Sequence, residues 1–407
     1  MSTHEVAITG IGLLTPAGAD TETTWQGVCD GVPTAGIDPA LGDVPVPLTC
    51  RVPDFDAAAL LGPDVWRMDR FSHLALAAAR QAVADAQLDT TSWDGARVAV
   101  IVGVGADSKD TSVAGTRKLI DRTYASISPL TVPRSTANAA AAEICMALNA
   151  YGPSMAVTTA CASGATALGV AKDLLAAGRC DIVLAGGTEA PCHPLTSLAF
   201  SQMGALSTRL HDPAGASRPF DADRDGFVLA EGAGILVLER ATDARARRAT
   251  AYAYLSGYGC STDGYHYAAA HPEGVGIERA LNAALADAGL QATDIGHINA
   301  HGTATPMNDR IESATIQRYF RGRSPIVNST KGVTGHTLGA AGAIEAALTA
   351  LTLRHQSIPP TANLDRIDTD IDLDVVDKTA RPCRIDAAAS NSFGFGGHNT
   401  VLILRRA

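Results

Sequence analysis

The feature of this sequence that most restricts its fold is the alternation of short β-branched runs with longer alanine-rich segments. Strand, crossover helix and strand in succession build a parallel sheet. We predict strands at 6–11, 98–104, 155–159, 182–185, 234–238, 295–299, 326–328 and 400–404. Amphipathic helices are predicted at 71–86 and 276–288, where apolar residues recur on one face. The chain is therefore predicted to be an α/β protein.

Length and charge exclude several classes of function. The 407 residues are 46% hydrophobic, enough to bury a large core as one α/β domain or two fused halves. A net charge of −10 disfavours nucleic acid as a partner, because phosphate contacts need clustered Lys and Arg. No apolar stretch reaches the ~20 residues that span a bilayer, and no basic leader precedes the first strand. We expect a cytoplasmic protein without a membrane segment, with the charged stretch 239–248 connecting two halves.

Cys161 lies at the junction of a predicted strand and a helix of very small residues, in VTTACASGATALG. The free N–H groups at a helix N-terminus favour a thiolate and lower its pKa, which suggests a nucleophile. A cysteine taken alone is more often a small buried hydrophobe. That is our interpretation of the other seven, which lack a CxxC pair or metal-ligand spacing: Cys29, Cys50, Cys145, Cys180, Cys192, Cys260 and Cys383. We expect reduced thiols and no metal site.

Two histidines follow in separate segments of the second half. INAHGTATPMND places His301 at a strand end, and STKGVTGHTLGAAGAIEA places Lys331 and His336 in a loop before a second small-residue helix. Each has an ordinary structural explanation, since a strand-end histidine is often only a satisfied polar group and a lysine is often a surface charge. Their occurrence together with Cys161 indicates nucleophilic catalysis.

The segment NSFGFGGHN near the C-terminus sets Phe393 and Phe395 among glycines. Glycine lets backbone N–H groups approach a ligand closely, as an oxyanion hole requires. A Gly/Phe loop is also a common tight turn. The segment therefore indicates an oxyanion hole only when it is taken together with the cysteine and the histidines.

These motifs, together with VAITGIGLLTPAG, RMDRFSHLALAAA and SRPFDADRDGFVLAEGAGILVLE, resemble the β-ketoacyl synthases of the thiolase superfamily. That group includes the elongating condensing enzymes of fatty-acid synthesis and the ketosynthase subunit of type II polyketide synthases. The resemblance runs nearly end to end. It implies a thiolase-like α/β fold, five-layered α/β/α/β/α, built from two similar halves. Residues 1–248 would carry the cysteine and 249–407 both histidines, usually in a dimer.

The resemblance also implies a reaction. An acyl group arrives on the phosphopantetheine arm of an acyl carrier protein and is transferred to Cys161. The N–H groups of Cys161 and Phe395 would form the oxyanion hole. Malonyl carrier protein then loses CO2, and neutral His301 and His336 would donate hydrogen bonds to the resulting enolate. No bound cofactor is implied, because the substrates are carried on the phosphopantetheine.

Supporting roles are implied as well. Lys331 resembles the structural lysine of the family, paired with Glu345 and ordering the histidine loop. Phe395 matches the position that gates access to the cysteine, and Phe393 lies beside it.

The implied acyl pocket includes Ala106, Phe200 and Met203. Ala106 stands where fatty-acid elongators often carry a larger apolar residue, which leaves room for a longer or stiffer chain. Asp107, the next residue, is polar and departs from the family pattern.

The implied carrier-docking surface is less basic than is usual in the elongators. Arg67 and Arg70 remain, but Ala125, Ser126 and Gly204 stand where basic residues are common. This favours a dedicated carrier protein or a partner subunit that supplies part of the surface.

Two neighbouring functions fit the residues less well. A degradative thiolase uses a second, late cysteine as its base, and Cys383 is not in a Gly-rich loop. A non-catalytic chain-length factor lacks the nucleophile, whereas Cys161, His301 and His336 are all intact. Between the pathways we favour a type II polyketide ketosynthase in a heterodimer with a chain-length factor. The alternative is a homodimeric fatty-acid elongation enzyme.

Overall fold

The computed structural model describes residues 5–106, 108–322 and 324–407, so Asp107 lies outside the described residues. The strands are β1 (Val6–Leu14), β2 (Gly36–Ile37), β3 (Leu48–Cys50), β4 (Val98–Gly103), β5 (Ser154–Val157), β6 (Ile182–Glu189), β7 (Leu229–Ala230), β8 (Gly232–Arg240), β9 (Ala253–Thr262), β10 (His297–Asn299), β11 (Ile326–Asn328), β12 (Ser357–Ile358), β13 (Arg381–Pro382), β14 (Ala387–Gly394) and β15 (His398–Arg406). The α-helices are α1 (Thr21–Asp30), α2 (Ala57–Leu61), α3 (Arg70–Asp85), α4 (Lys109–Ile120), α5 (Thr131–Ser135), α6 (Ala139–Leu148), α7 (Ser163–Ala176), α8 (Pro194–Gln202), α9 (Ala241–Ala246), α10 (Val275–Ala288), α11 (Pro306–Tyr319), α12 (Lys331–Thr334) and α13 (Ala341–His355). All the predicted strands and both predicted helices overlap observed ones.

Strand pairing repeats itself between the two halves of the chain. Within the described residues, ten strands form a sheet in the order β11, β10, β14, β15, β9, β1, β8, β6, β4, β5. In the first half β1 pairs antiparallel with β8, β8 antiparallel with β6, and β6 and β5 each parallel with β4. Strands β9, β15, β14, β10 and β11 repeat this pattern. The two sets meet where β1 pairs with β9, which confirms the two similar halves.

Helices cover both faces of the strands in each half, and two of them lie between the halves. Helices α7 and α13 pack on each other and on strands of both halves, while α3 and α6 cover the first half outside and α10 and α11 the second. The central pair approaches closely because its contact residues are small: a Cβ atom added at Gly164 would lie 2.8 Å from the nitrogen of Ala343. These layers confirm the predicted five-layered α/β/α/β/α fold.

The charged stretch 239–248 runs from the last strand of the first half through α9 toward β9. Its charges are largely paired, since Arg247 donates 2.8 Å and 2.5 Å hydrogen bonds to buried Glu239, which also accepts one from Thr9. None of the helices seen in the described ranges combines the length and apolarity needed to cross a bilayer.

The Gly/Phe segment corrects one prediction. The sequence suggested a loop at 391–399, but β14 continues through Phe393 to Gly394, and β15 begins at His398. Only the short connection turns, with Gly396 and Gly397 at φ of 84° and 74°. The strand was missed because it is buried on both faces and built mostly from small residues, both apolar and polar, so its sequence shows no regular alternation.

Candidate active site

Cys161 sits on a strained turn between β5 and α7. Ala160 before it has φ of +51°, a left-handed conformation unusual for alanine. Ser163 fixes this turn, because its hydroxyl donates to the Ala160 carbonyl at 2.6 Å and accepts from the Thr159 N–H at 2.9 Å. The thiol is thereby held at the wall of a cavity.

The three predicted catalytic side chains line the same cavity, whose volume is about 390 Å³. The rings of His301 and His336 lie 5.4 Å apart at 82°. Phe393 contacts His301 edge-on at 5.6 Å, and Phe227 contacts His336 in the same way at 5.2 Å. Residues more than a hundred positions apart thus meet at one site.

Hydrogen bonds to the backbone fix the position of each histidine. Glu312 on α11 accepts hydrogen bonds from the N–H groups of His301 and Gly302 at 2.9 Å and 2.8 Å. The His336 N–H donates to the Val228 carbonyl at 2.8 Å. Sequence reasoning missed Glu312; the available signal was an acidic residue beside Ile311 on a helix directly after the His301 motif.

Lys331 is fully buried behind the histidines and is the first residue of α12, where the sequence predicted a loop. Its ammonium group pairs with Glu345 and donates a 2.6 Å hydrogen bond to the His301 carbonyl. Burial raises the pKa of Glu345 to about 7, an effect that the Lys331 charge opposes. Lys331 therefore links α13, which carries Glu345, to the turn at His301.

Both imidazoles are neutral at neutral pH. Burial lowers the pKa of His301 and that of His336 well below the usual value, and the Lys331 charge lowers them further. A neutral imidazole can donate one hydrogen bond without placing a full charge beside the cysteine.

The thiol of Cys161 departs from the sequence-based expectation. Burial raises its pKa to about 12, although the Lys331 charge and the hydrogen bond donated by the Phe395 N–H act in the opposite direction. This direction is opposite to the lowering predicted from a helix N-terminus, and burial of the anion is its largest cause. The N–H of Phe395 does point at the sulfur.

A second cavity of about 500 Å³ lies on the other side of Cys161. Small side chains line much of it, including Ala106, Ala160 and Ala199, with Glu189 and Lys109 in its wall. The two cavities share Cys161, Phe200, Met203, Leu338 and Phe395. Phe200 and Phe395 pack at 6.1 Å between their ring centres. Of the predicted pocket and gate residues, Phe200, Met203 and Phe395 therefore line both cavities, whereas Ala106 lines only the second and Phe393 only the first.

Phe395→Ala is expected to weaken control over which substrate acylates Cys161 first. Losing the ring opens the wall between the cavities, and one apolar contact in a pocket is worth about 10-fold in selectivity. The ratio of acyl to malonyl adducts on the intact protein, offered both carriers together, measures the change. Phe320→Leu, which alters a buried ring in the outer layer, is the control. An unchanged ratio in Phe395→Ala would remove the gating assignment.

The two arginines predicted for carrier docking have different surroundings. Arg67 is exposed, and its ion pairs within the described residues are long, 3.7 Å to Asp64 and 3.6 Å to Glu143. Arg70 instead donates hydrogen bonds of 2.7 Å and 2.6 Å to both oxygens of buried Glu231. The charge of Arg70 therefore compensates a buried carboxylate, and its role in carrier docking stays a prediction.

Two family models match the chain: the N-terminal domain of β-ketoacyl synthases over residues 3–244 and the C-terminal domain over residues 252–365. The chain belongs to the β-ketoacyl synthase family. It is therefore an acyltransferase-class enzyme, a ketosynthase.

Curated relatives agree over the full length. The 3-oxoacyl-(acyl-carrier-protein) synthase 2 of Synechocystis sp. is 40% identical, and that of Staphylococcus aureus 41%, each with 98% of both chains covered. Among solved structures, the ishigamide ketosynthase/chain length factor has a TM-score of 0.92 and 34% identity, covering all of both chains. A type II PKS acyl-carrier protein in complex with its ketosynthase bound to the hexaketide has a TM-score of 0.88 and 30% identity, again over all of both chains.

Proposed function

We propose that this ketosynthase is the catalytic subunit of a type II polyketide synthase and condenses an acyl group on Cys161 with malonyl carrier protein. The observation that carries the proposal is the second cavity, in which small residues such as Ala106, Ala160 and Ala199 leave space beside Cys161. This space admits a longer or stiffer acyl chain, as the polyketide function requires.

Acyl transfer comes first in this proposal. The Cys161 sulfur attacks the carrier thioester, its proton leaves with the departing carrier thiol, and a new thioester forms on the protein. The N–H groups of Cys161 and Phe395 stabilise the oxyanion. The chain itself binds no cofactor, since both substrates arrive on phosphopantetheine.

Decarboxylation and condensation follow. Malonyl carrier protein loses CO2, and His301 and His336 donate hydrogen bonds to the thioester oxygen of the enolate. The enolate carbon attacks the acyl thioester on Cys161, a carbon–carbon bond forms, and the cysteine sulfur leaves. The product is a β-ketoacyl carrier protein two carbons longer.

A partner subunit is part of the proposal. Strand β5 ends the sheet, and an unpaired edge with apolar neighbours favours pairing with a second chain. Met146, Tyr151 and Met155 are exposed around it. We propose a heterodimer with a chain-length-factor subunit at this edge.

Fatty-acid elongation by a homodimer is the second candidate. Its support is the 40% and 41% identity to proteins named 3-oxoacyl-(acyl-carrier-protein) synthase 2, above the 30–34% identity to the polyketide structures.

Loading of Cys161 distinguishes the two candidates. The intact mass of the wild-type chain is measured with and without a candidate partner subunit, after incubation with carriers bearing saturated, unsaturated or oxygenated chains of matched length. Loading restricted to the partner complex, or to unsaturated or oxygenated chains, is the result that we expect. Efficient loading and elongation of saturated chains by the chain alone would favour fatty-acid elongation.

Ala106→Leu is expected to shorten the longest acyl chain that loads Cys161. The added side-chain atoms occupy the second cavity, and steric rejection of the excess chain costs about 10-fold or more in loading rate. A length series of acyl carriers measured by intact mass tests this. Ala177→Leu, at the end of α7 and away from this cavity, is the control. An unchanged length limit would place the acyl chain elsewhere.

A further inference from the structure

Glu189 is a buried carboxylate that joins two loops of the site. It is the last residue of β6, and its Oε2 atom accepts hydrogen bonds from the N–H groups of Gly105 at 2.6 Å and Gly339 at 3.2 Å. Only 4% of the residue is exposed. Gly105 precedes Ala106 in the wall of the second cavity, and Gly339 lies three residues after His336. One oxygen atom thus contacts both the acyl cavity and the histidine segment.

The contact between these loops is too close for side chains. A Cβ atom added at Gly339 would lie 2.2 Å from the Gly105 nitrogen and 2.5 Å from the Glu189 Oε2 atom. Between His336 and Gly339, Leu338 has φ of +45°, a strained conformation that persists only where the surroundings enforce it. Leu338 also lines both cavities.

We propose that Glu189 is a positioning residue that holds the Gly105–Ala106 wall against the segment carrying His336 and Leu338. The inference rests on the proposed function, since it assigns His336 to decarboxylation. Glu189 acts through these loops and does not touch the reacting atoms. Cys161 depends on a different support, the hydrogen bonds of Ser163 to its own turn. Loss of Glu189 therefore affects decarboxylation more than acylation.

The test separates the two half-reactions. Acylation of Cys161 is followed by intact mass, and CO2 release from malonyl carrier protein is followed in single turnovers of pre-acylated enzyme. In Glu189→Ala we expect CO2 release to slow by roughly 10- to 100-fold, because two hydrogen bonds to buried N–H groups are lost. Acylation by a short chain stays within about 3-fold, and the KM for malonyl carrier protein changes little.

Conservative variants provide the second line of evidence. In Glu189→Gln the amide oxygen can accept from both N–H groups, so CO2 release should recover to within a few-fold of wild type. Glu189→Asp keeps the carboxylate but withdraws it by one methylene, so CO2 release should fall while acylation remains; this variant carries the test if the alanine variant does not fold. Glu239→Gln, at the opposite end of the neighbouring strand, is the matched control for a buried carboxylate.

The positioning role is overturned if Glu189→Ala and Glu189→Asp lose acylation and CO2 release to the same extent, and Glu239→Gln shows the same losses at the same decrease in melting temperature. Unchanged CO2 release in both would also overturn it. Failure of the proposed condensation chemistry, on which the inference rests, has a different signature, because wild-type enzyme would then form no acyl adduct or release no CO2.

Discussion

Cys161→Ala is expected to abolish condensation, with the rate of β-ketoacyl product formation falling by roughly 10⁴-fold or more. The sulfur lies where both cavities meet, and the Phe395 N–H points at it. Without the thiol no covalent acyl intermediate forms. The fold should persist, because alanine fits a turn held by Ser163 and the loss of one buried sulfur costs about 1 kcal/mol. Product formation, intact mass and melting temperature are measured together.

Cys180→Ala is the matched control. Cys180 is fully buried, and burial raises its pKa also, but it lies just before the start of β6 and outside both cavities. It should retain acyl adducts and product formation. Normal product formation by Cys161→Ala, or loss of adducts in the control, would contradict the nucleophile assignment.

Much of the site was predictable because its residues lie at the ends of recognisable elements. Cys161 follows a short apolar strand and precedes a small-residue helix, and His301 follows another strand. His336 precedes the second small-residue helix, and the structure shows that the two helices pack on each other. Strand ends and helix starts are local patterns, so each element could be placed from its own residues.

Other features depend on contacts between distant segments. The roles of Glu189 and Glu312 consist of hydrogen bonds to loops contributed by other elements. The repetition of strand pairing between the halves is a property of topology without a matching sequence repeat. The pKa of Cys161 depends on how completely the tertiary fold removes water from the thiol, so the helix position alone predicted the wrong direction.

Removing either histidine is expected to slow decarboxylation of malonyl carrier protein by about 10²- to 10³-fold, the effect of losing one preorganised donor to a developing oxyanion. His301→Ala and His336→Ala should each do so, because both rings line the cavity and their low pKa values keep them neutral. Acyl transfer to Cys161 should lose less, since its oxyanion is stabilised by backbone N–H groups. CO2 release and adduct formation are measured separately on the same protein.

His297→Ala distinguishes a donor from a merely buried histidine. His297 is fully buried, its ring hydrogen-bonds Asn328 at 2.9 Å, and burial lowers its pKa to about 4. It lies four residues before His301 but does not line the cavity. The control should lose stability while keeping the wild-type ratio of decarboxylation to acyl transfer. Equal losses of both half-reactions in the His301 and His336 variants would mean that the histidines support the site without donating to the enolate.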